Sequence, residues 1–132
     1  MPHTPVPQEL ANCIQDCLDC YRTCQQTALL HCLEVGGKHV EPQHFRLMMD
    51  CAEACRSAGA LMINGSPYHA ESCRLCAEIC RNCAQSCRSI GDMDECVTIC
   101  ERCAESCESM AASAGGGGKA RTGIGSSTTV RQ

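Results

Sequence analysis

The run ESCRLCAEICRNCAQSCRSI, from Glu71 to Ile90, places a cysteine at every third or fourth position: Cys73, Cys76, Cys80, Cys83 and Cys87. Steps of three and four are the period of one face of an α-helix. The same steps recur on either side of it. Cys13, Cys17, Cys20 and Cys24 are spaced 4, 3, 4, and so are Cys96, Cys100, Cys103 and Cys107. Cys51 and Cys55 form a pair four apart, and Cys32 stands alone. Thiols occupy the positions where Leu and Ile would normally build a core, so the interior of this chain is made of soft metal ligands.

Caps and glycines divide the chain into four helices. The first starts near Pro7, a good first-turn residue, and runs to about Val35, where Gly36-Gly37 stops it. The second runs from Pro42 to about Asn64. Ser66-Pro67 reads as N-cap and first turn of the third, which runs to about Ile90 before Gly91. Asp92 with Glu95 reads as a capping box for the fourth, which runs to about Ser113 and is ended by Gly115 to Gly118. Connections of about six, two and two residues force antiparallel neighbours. The expected fold is therefore all-α, an antiparallel up-down four-helix bundle with a Cys-lined core. Residues 1–6 form an N-terminal extension, 7–114 the bundle, and 115–132 a flexible tail rich in Gly, Ser and Thr.

Composition narrows the function. Leu, Ile, Val and Phe make only 20 of the 132 residues, and the aromatic residues are Tyr21, Phe45 and Tyr68. Unpaired cysteine, a small hydrophobe, takes their place. The opening MPHTPVPQELANC shows neither the basic nor the apolar region of a signal peptide, and no apolar run is long enough to span a membrane. A reducing cytosol is the expected compartment, and there regular cysteines read as metal-binding rather than as a disulfide scaffold. A net charge of −4 with scattered arginines argues against nucleic-acid binding, which needs clustered Lys and Arg.

With about 100° per residue, Cys17, Cys20 and Cys24 fall within about 40° of Cys13. Cys32 falls near 100° from that stripe and is the thiol least aligned with it. Cys51 and Cys55 share a face with His44, Met48, Ala58 and Met62. Met93 and Met110 continue the stripe of the fourth helix. Antiparallel order gathers His31, Cys32, His44, Met48, Cys87 and Met93 at one end, and Cys13, Met62, His69 and Met110 at the other. His3 and His39 lie in flanking segments and are assigned nothing.

Soft sulfur ligands select Cu(I), zinc or iron–sulfur clusters. One Cu(I) per thiolate leaves the core near neutral, whereas four Zn²⁺ on sixteen thiolates leave about −8 in a narrow interior, which is expensive. A straight stripe on one helix also supplies two sulfurs per turn rather than the four converging ligands zinc wants. Iron–sulfur runs of the ferredoxin kind end in Cys-Pro on loops, and no cysteine here precedes a proline. No βαβ context supports a CxxC redox enzyme. Zinc or metallothionein-like buffering and iron–sulfur electron transfer stay open as alternatives.

With CxxxCxxC on successive helices, a thiol-lined bundle and almost no aromatics, the chain resembles the bacterial copper storage proteins (Csp), a cysteine-rich four-helix-bundle family. The resemblance covers roughly Pro7 to Ser113. It implies the cytosolic branch, a homotetramer of bundles without catalytic activity, and a core that stores multiple Cu(I) ions received through an open end. The metal ligands it implies are Cys13, Cys17, Cys20, Cys24, Cys32, Cys51, Cys55, Cys73, Cys76, Cys80, Cys83, Cys87, Cys96, Cys100, Cys103 and Cys107. His31, His44, Met48 and Met93 are the expected entrance ligands. Copper ions, with a copper chaperone as donor, are the expected partners; nucleic acid and membrane are not.

Overall fold

The computed structural model describes residues 6–118. Helix α1 (Gln8–Gln26) continues without a break through a π-helical segment, Thr27–Cys32, into the short α2 (Leu33–Val35). A 3₁₀ turn, Gly37–Val40, leads to α3 (Pro42–Ile63), followed by α4 (His69–Ile90) and α5 (Asp94–Gly118). Helix α1 packs against α3 and α5, and α4 packs against the same two. The result is the expected four-helix bundle, with α1, α3, α4 and α5 in a ring around one shared interior.

Local chemistry sets the boundaries. Glu41 caps α3 by accepting the His44 N–H at 2.9 Å, with Pro42 in the first turn, where its missing donor is no loss. The end of α3 is closed by Ser66 N–H on the Leu61 carbonyl and Gly65 N–H on the Met62 carbonyl. This is the paired bonding of a Schellman motif, with Gly65 in the left-handed conformation. Ser66 then bonds the Tyr68 N–H through its hydroxyl and the His69 N–H through its carbonyl. Its turn therefore precedes α4 by two residues more than expected.

Two further expectations are corrected. Asp92 does not cap α5: it has φ 56°, and the Met93 carbonyl accepts the first helical bond, from Val97. The tight turn through Gly91 takes Asp92 out of capping geometry and aims its carboxylate at His31, 3.6 Å away. Nor does the glycine run stop α5 at its start, because the helix extends to Gly118. Each glycine costs a helix only about 1 kcal/mol relative to alanine, so a run of them weakens a turn without forbidding it. The rest of the expected tail, 119–132, lies outside the described residues.

Among the described residues, the buried apolar core is all sixteen cysteines, eight alanines, Met48, Met62, Met93, Met110 and Ile99. Leucines lie at its margin or on the surface. Small side chains let the helices approach closely. A Cβ on Gly59 of α3 would meet Leu18 of α1 at 3.0 Å. Outside, Arg81 pairs with Glu108 at 2.8 Å and Arg88 pairs with Glu101, tying α4 to α5.

Candidate metal centre

Every one of the sixteen cysteines is a buried free thiol. Twelve of their sulfurs fall in one connected set of groups, with contacts of 3.5 Å for Cys17–Cys107, Cys24–Cys100 and Cys55–Cys80 and 3.6 Å for Cys51–Cys80. A disulfide would bring such sulfurs to about 2.05 Å. The stripes read from the sequence thus meet along a common axis.

Convergence of four helices gives what one stripe lacks. Three sets of four sulfurs lie within 4.8 Å of one another: Cys17, Cys76, Cys103 and Cys107; Cys20, Cys24, Cys51 and Cys100; Cys20, Cys55, Cys80 and Cys103. Cys13, Cys73 and Cys107 form a fourth group, of three. Tetrahedral coordination, denied to a single helix, is therefore open to the bundle.

Cys32, Cys83, Cys87 and Cys96 belong to none of these groups. At the end of the bundle holding Met93, Cys32, Cys83 and Cys87 face other ligands and Cys96 lines a cavity. The Cys83 and Cys87 thiols donate to the Met48 thioether at 3.6 and 3.4 Å. Cys32 donates to Met93 Sδ at 4.0 Å and lies 3.8 Å from His39 Nδ1. Cys32 is fully buried despite its poor phase on a straight helix. The π segment is the reason: one extra residue in a turn delays the helix by one step, about 100°, which returns Cys32 to the stripe.

The four expected entrance ligands reach this end but divide between two openings. A cavity of about 360 Å³ is lined by Thr27, His31, Met93 and Cys96, with Asp92, Asp94 and Glu95 at its rim. His44 instead lines a groove of about 330 Å³ between α3 and α4. Its Nδ1 lies 2.7 Å from Ser86 Oγ, while Nε2 is buried without a hydrogen-bond partner. Met48 lies behind both, on Cys83 and Cys87. His39 was missed by sequence reasoning. It is buried, meets the His31 ring edge-on at 5.2 Å and contacts Cys32. It sits in a 3₁₀ turn after two glycines, where no periodicity marks it; its only signal is a seven-residue separation from Cys32.

Burial works against charge on all these groups. The Cys32 thiol is pushed up by desolvation, then by the neighbouring thiolates it would face at Cys96 and Cys83. Cys20 and Cys24 are pushed up first by hydrogen bonding to Cys100, with burial adding to it. The metal-free core therefore holds protons on these thiols at neutral pH. His44 is pushed below its usual range by burial and then by His39, which keeps its imidazole neutral.

The profile of the copper storage protein family matches residues 6–112. The chain belongs to the copper storage protein family. Solved relatives agree. A protein of Nitrosospira multiformis known from its crystal structure is 52% identical, with TM-score 0.79 over 80% of this chain and 96% of that one. The Cu(I)-bound copper storage protein BsCsp3 is 36% identical, with TM-score 0.72 over 79% of this chain and 99% of that one. Apo copper storage protein 3 from Bacillus subtilis is also 36% identical, with TM-score 0.69 over 76% and 97%. A curated relative, the uncharacterized cysteine-rich protein YhjQ of Bacillus subtilis, is 39% identical over 65 residues; the match spans 49% of this chain and 59% of that protein.

Proposed function

We propose that this chain stores copper as multiple Cu(I) ions held by its sixteen cysteines, and that it has no catalytic role. The observation that carries the reading is the buried, disulfide-free sulfur network along the bundle axis. Thiolates suit Cu(I) because one ion per sulfur neutralises the charge that deprotonation creates. The surrounding core, of alanine and methionine, offers no other compensation. Loading exchanges a proton for an ion at each protonated thiol, so acid is released as copper enters. The storage unit is residues 7–114.

Copper enters at the end holding His31, His44, Met48 and Met93. Imidazole and thioether bind there before thiolate takes over, and a copper chaperone is the donor. The carboxylates of Asp92, Asp94 and Glu95 beside His31 favour the approach of a cation. The compartment is the cytosol; among the described residues no helix is long and apolar enough to cross a membrane. The bundles associate as a homotetramer, a reading supported by the exposed Leu30, Leu33 and Val35 near the end of the first helix.

The test is metal analysis of protein isolated anaerobically from copper-rich medium. About one copper per thiol, with ultraviolet absorption and no visible colour, is the expected result. Iron with inorganic sulfide, and a brown protein, would replace storage with electron transfer.

A further inference from the structure

The three four-sulfur groups are not alike. In Cys20, Cys24, Cys51 and Cys100, five of the six sulfur–sulfur edges measure between 3.5 and 3.9 Å: 3.8 Å for 20–24 and 20–100, 3.9 Å for 24–51 and 51–100, and 3.5 Å for 24–100. The sixth edge is within 4.8 Å. Neither of the other two groups shows more than three such close contacts. A regular tetrahedron with edges of this length has its centre about 2.1–2.4 Å from each corner, which brackets the Zn–S distance of about 2.3 Å. The group is a closed tetrahedral cage before any ion is present.

We propose that this group binds one divalent soft ion of the zinc class in the copper-poor protein, and gives it up to Cu(I). The ion links α1, through Cys20 and Cys24, to α3 through Cys51 and α5 through Cys100. A core that has, among the described residues, one buried isoleucine and no buried leucine gains most from such a link, because binding free energy at a structural site is folding free energy. Charge limits the number of ions. One divalent ion with four thiolates leaves about −2, and hydrogen bonds from neighbouring protonated thiols offset part of it. Cys80 is placed to donate one, 3.6 Å from Cys51 and 4.0 Å from Cys20. The group containing Cys55 and Cys80 shares Cys20, so filling it as well would make that thiolate bridge two ions and would raise the buried charge.

Binding releases to solvent whatever protons the four sulfurs hold and changes no oxidation state. When four Cu(I) replace the ion, it leaves as a divalent cation and the four thiolates become neutralised, so charge balances without a redox partner. This role is separate from copper storage and can fail without it.

The probe is Co²⁺, added anaerobically to the fully reduced, metal-free full chain. The expected result is the intense visible d–d spectrum of tetrahedral thiolate-bound cobalt, saturating at one equivalent. Zinc bleaches it one for one, and Cu(I) bleaches it as about four ions replace each cobalt. Cys51→Ser weakens cobalt binding at least about tenfold, since loss of a direct ligand exceeds the usual cost of losing an outer partner. Cys13→Ser, outside the cage, leaves it unchanged. If Cys51→Ser does not fold, the wild-type melting temperature decides: it rises until one equivalent of zinc is bound and no further. A visible spectrum without tetrahedral cobalt bands, equal affinity in the Cys51→Ser protein, or a melting temperature indifferent to the first equivalent of zinc would each overturn the proposal. A Cu(I) titration of the same batch reports on storage independently.

Discussion

The two ends of the bundle share a thiol stripe but finish it differently. At the Met93 end Cys32, Cys83 and Cys87 meet thioethers and an imidazole rather than four-sulfur groups, and Cys96 lines a cavity rimmed by carboxylates beside them. At the other end, Cys13, Cys73 and Cys107 remain grouped. Cys73 donates to Met62, and Pro7, Leu10, Met62 and Met110 line a smaller, more apolar hollow of about 280 Å³. His69 there is committed to structure, since its Nδ1 lies 2.9 Å from the Ser66 carbonyl. At one end thiols pass to two thioethers and an imidazole beside carboxylates; at the other they pass to one thioether beside a more apolar hollow. With copper entering at the Met93 end, as proposed, the difference would give a single tube a direction of filling.

The largest expected effect comes from removing the ligands at the Met93 end. Met48→Leu conserves volume and so costs less than about 1.5 kcal/mol of stability. It also removes the sulfur that Cys83 and Cys87 address. Stopped-flow Cu(I) loading should slow by about tenfold, a cost of the size seen when a supporting ligand is lost. The His31→Ala and His44→Ala double variant should slow it in the same direction. Met62→Leu at the opposite end should load at the wild-type rate. Equal slowing by Met48→Leu and Met62→Leu would remove the distinction between the ends.

The π segment gives the next test. Deleting Leu29 restores ordinary helical bonding while keeping Cys32 in phase, so all sixteen thiols should stay slow towards a thiol reagent. Inserting one alanine after Leu29 turns His31 and Cys32 by about 100°. One thiol should then react fast and one copper should be lost from the capacity.

A smaller effect is set by pH. The folded-state value of His44 lies below its unfolded value of 6.5. Below that pH the unfolded chain takes up a proton that the folded chain refuses, so stability falls as pH falls through this window. Denaturant unfolding of the copper-free protein should show the decline, and His44→Asn should flatten it. His69→Ala, the smallest change, should cost about 1 kcal/mol for one hydrogen bond and leave loading untouched.

Much of this was legible in the spacing of cysteines. Steps of three and four identify the helices, the face each buries and the content of the core, and Gly36, Gly65 and Gly91 mark the three turns. What the spacing does not carry is any departure from the regular helix. Cys32 reads as out of phase until the π segment is seen, and His39 carries no periodic signal. Asp92 reads as a cap because its left-handed backbone is a property of the tight turn at Gly91. Convergence of sulfurs from separate helices into tetrahedra is likewise a product of packing, invisible one stripe at a time.

The central claim is that the thiols act as one copper-holding interior. An anaerobic Cu(I) titration of the fully reduced protein against a competing chelator, with copper and thiols counted, tests it most directly. The account predicts about one tightly held Cu(I) for each of the sixteen thiols, with no visible colour. Saturation near one ion per four thiols would contradict it.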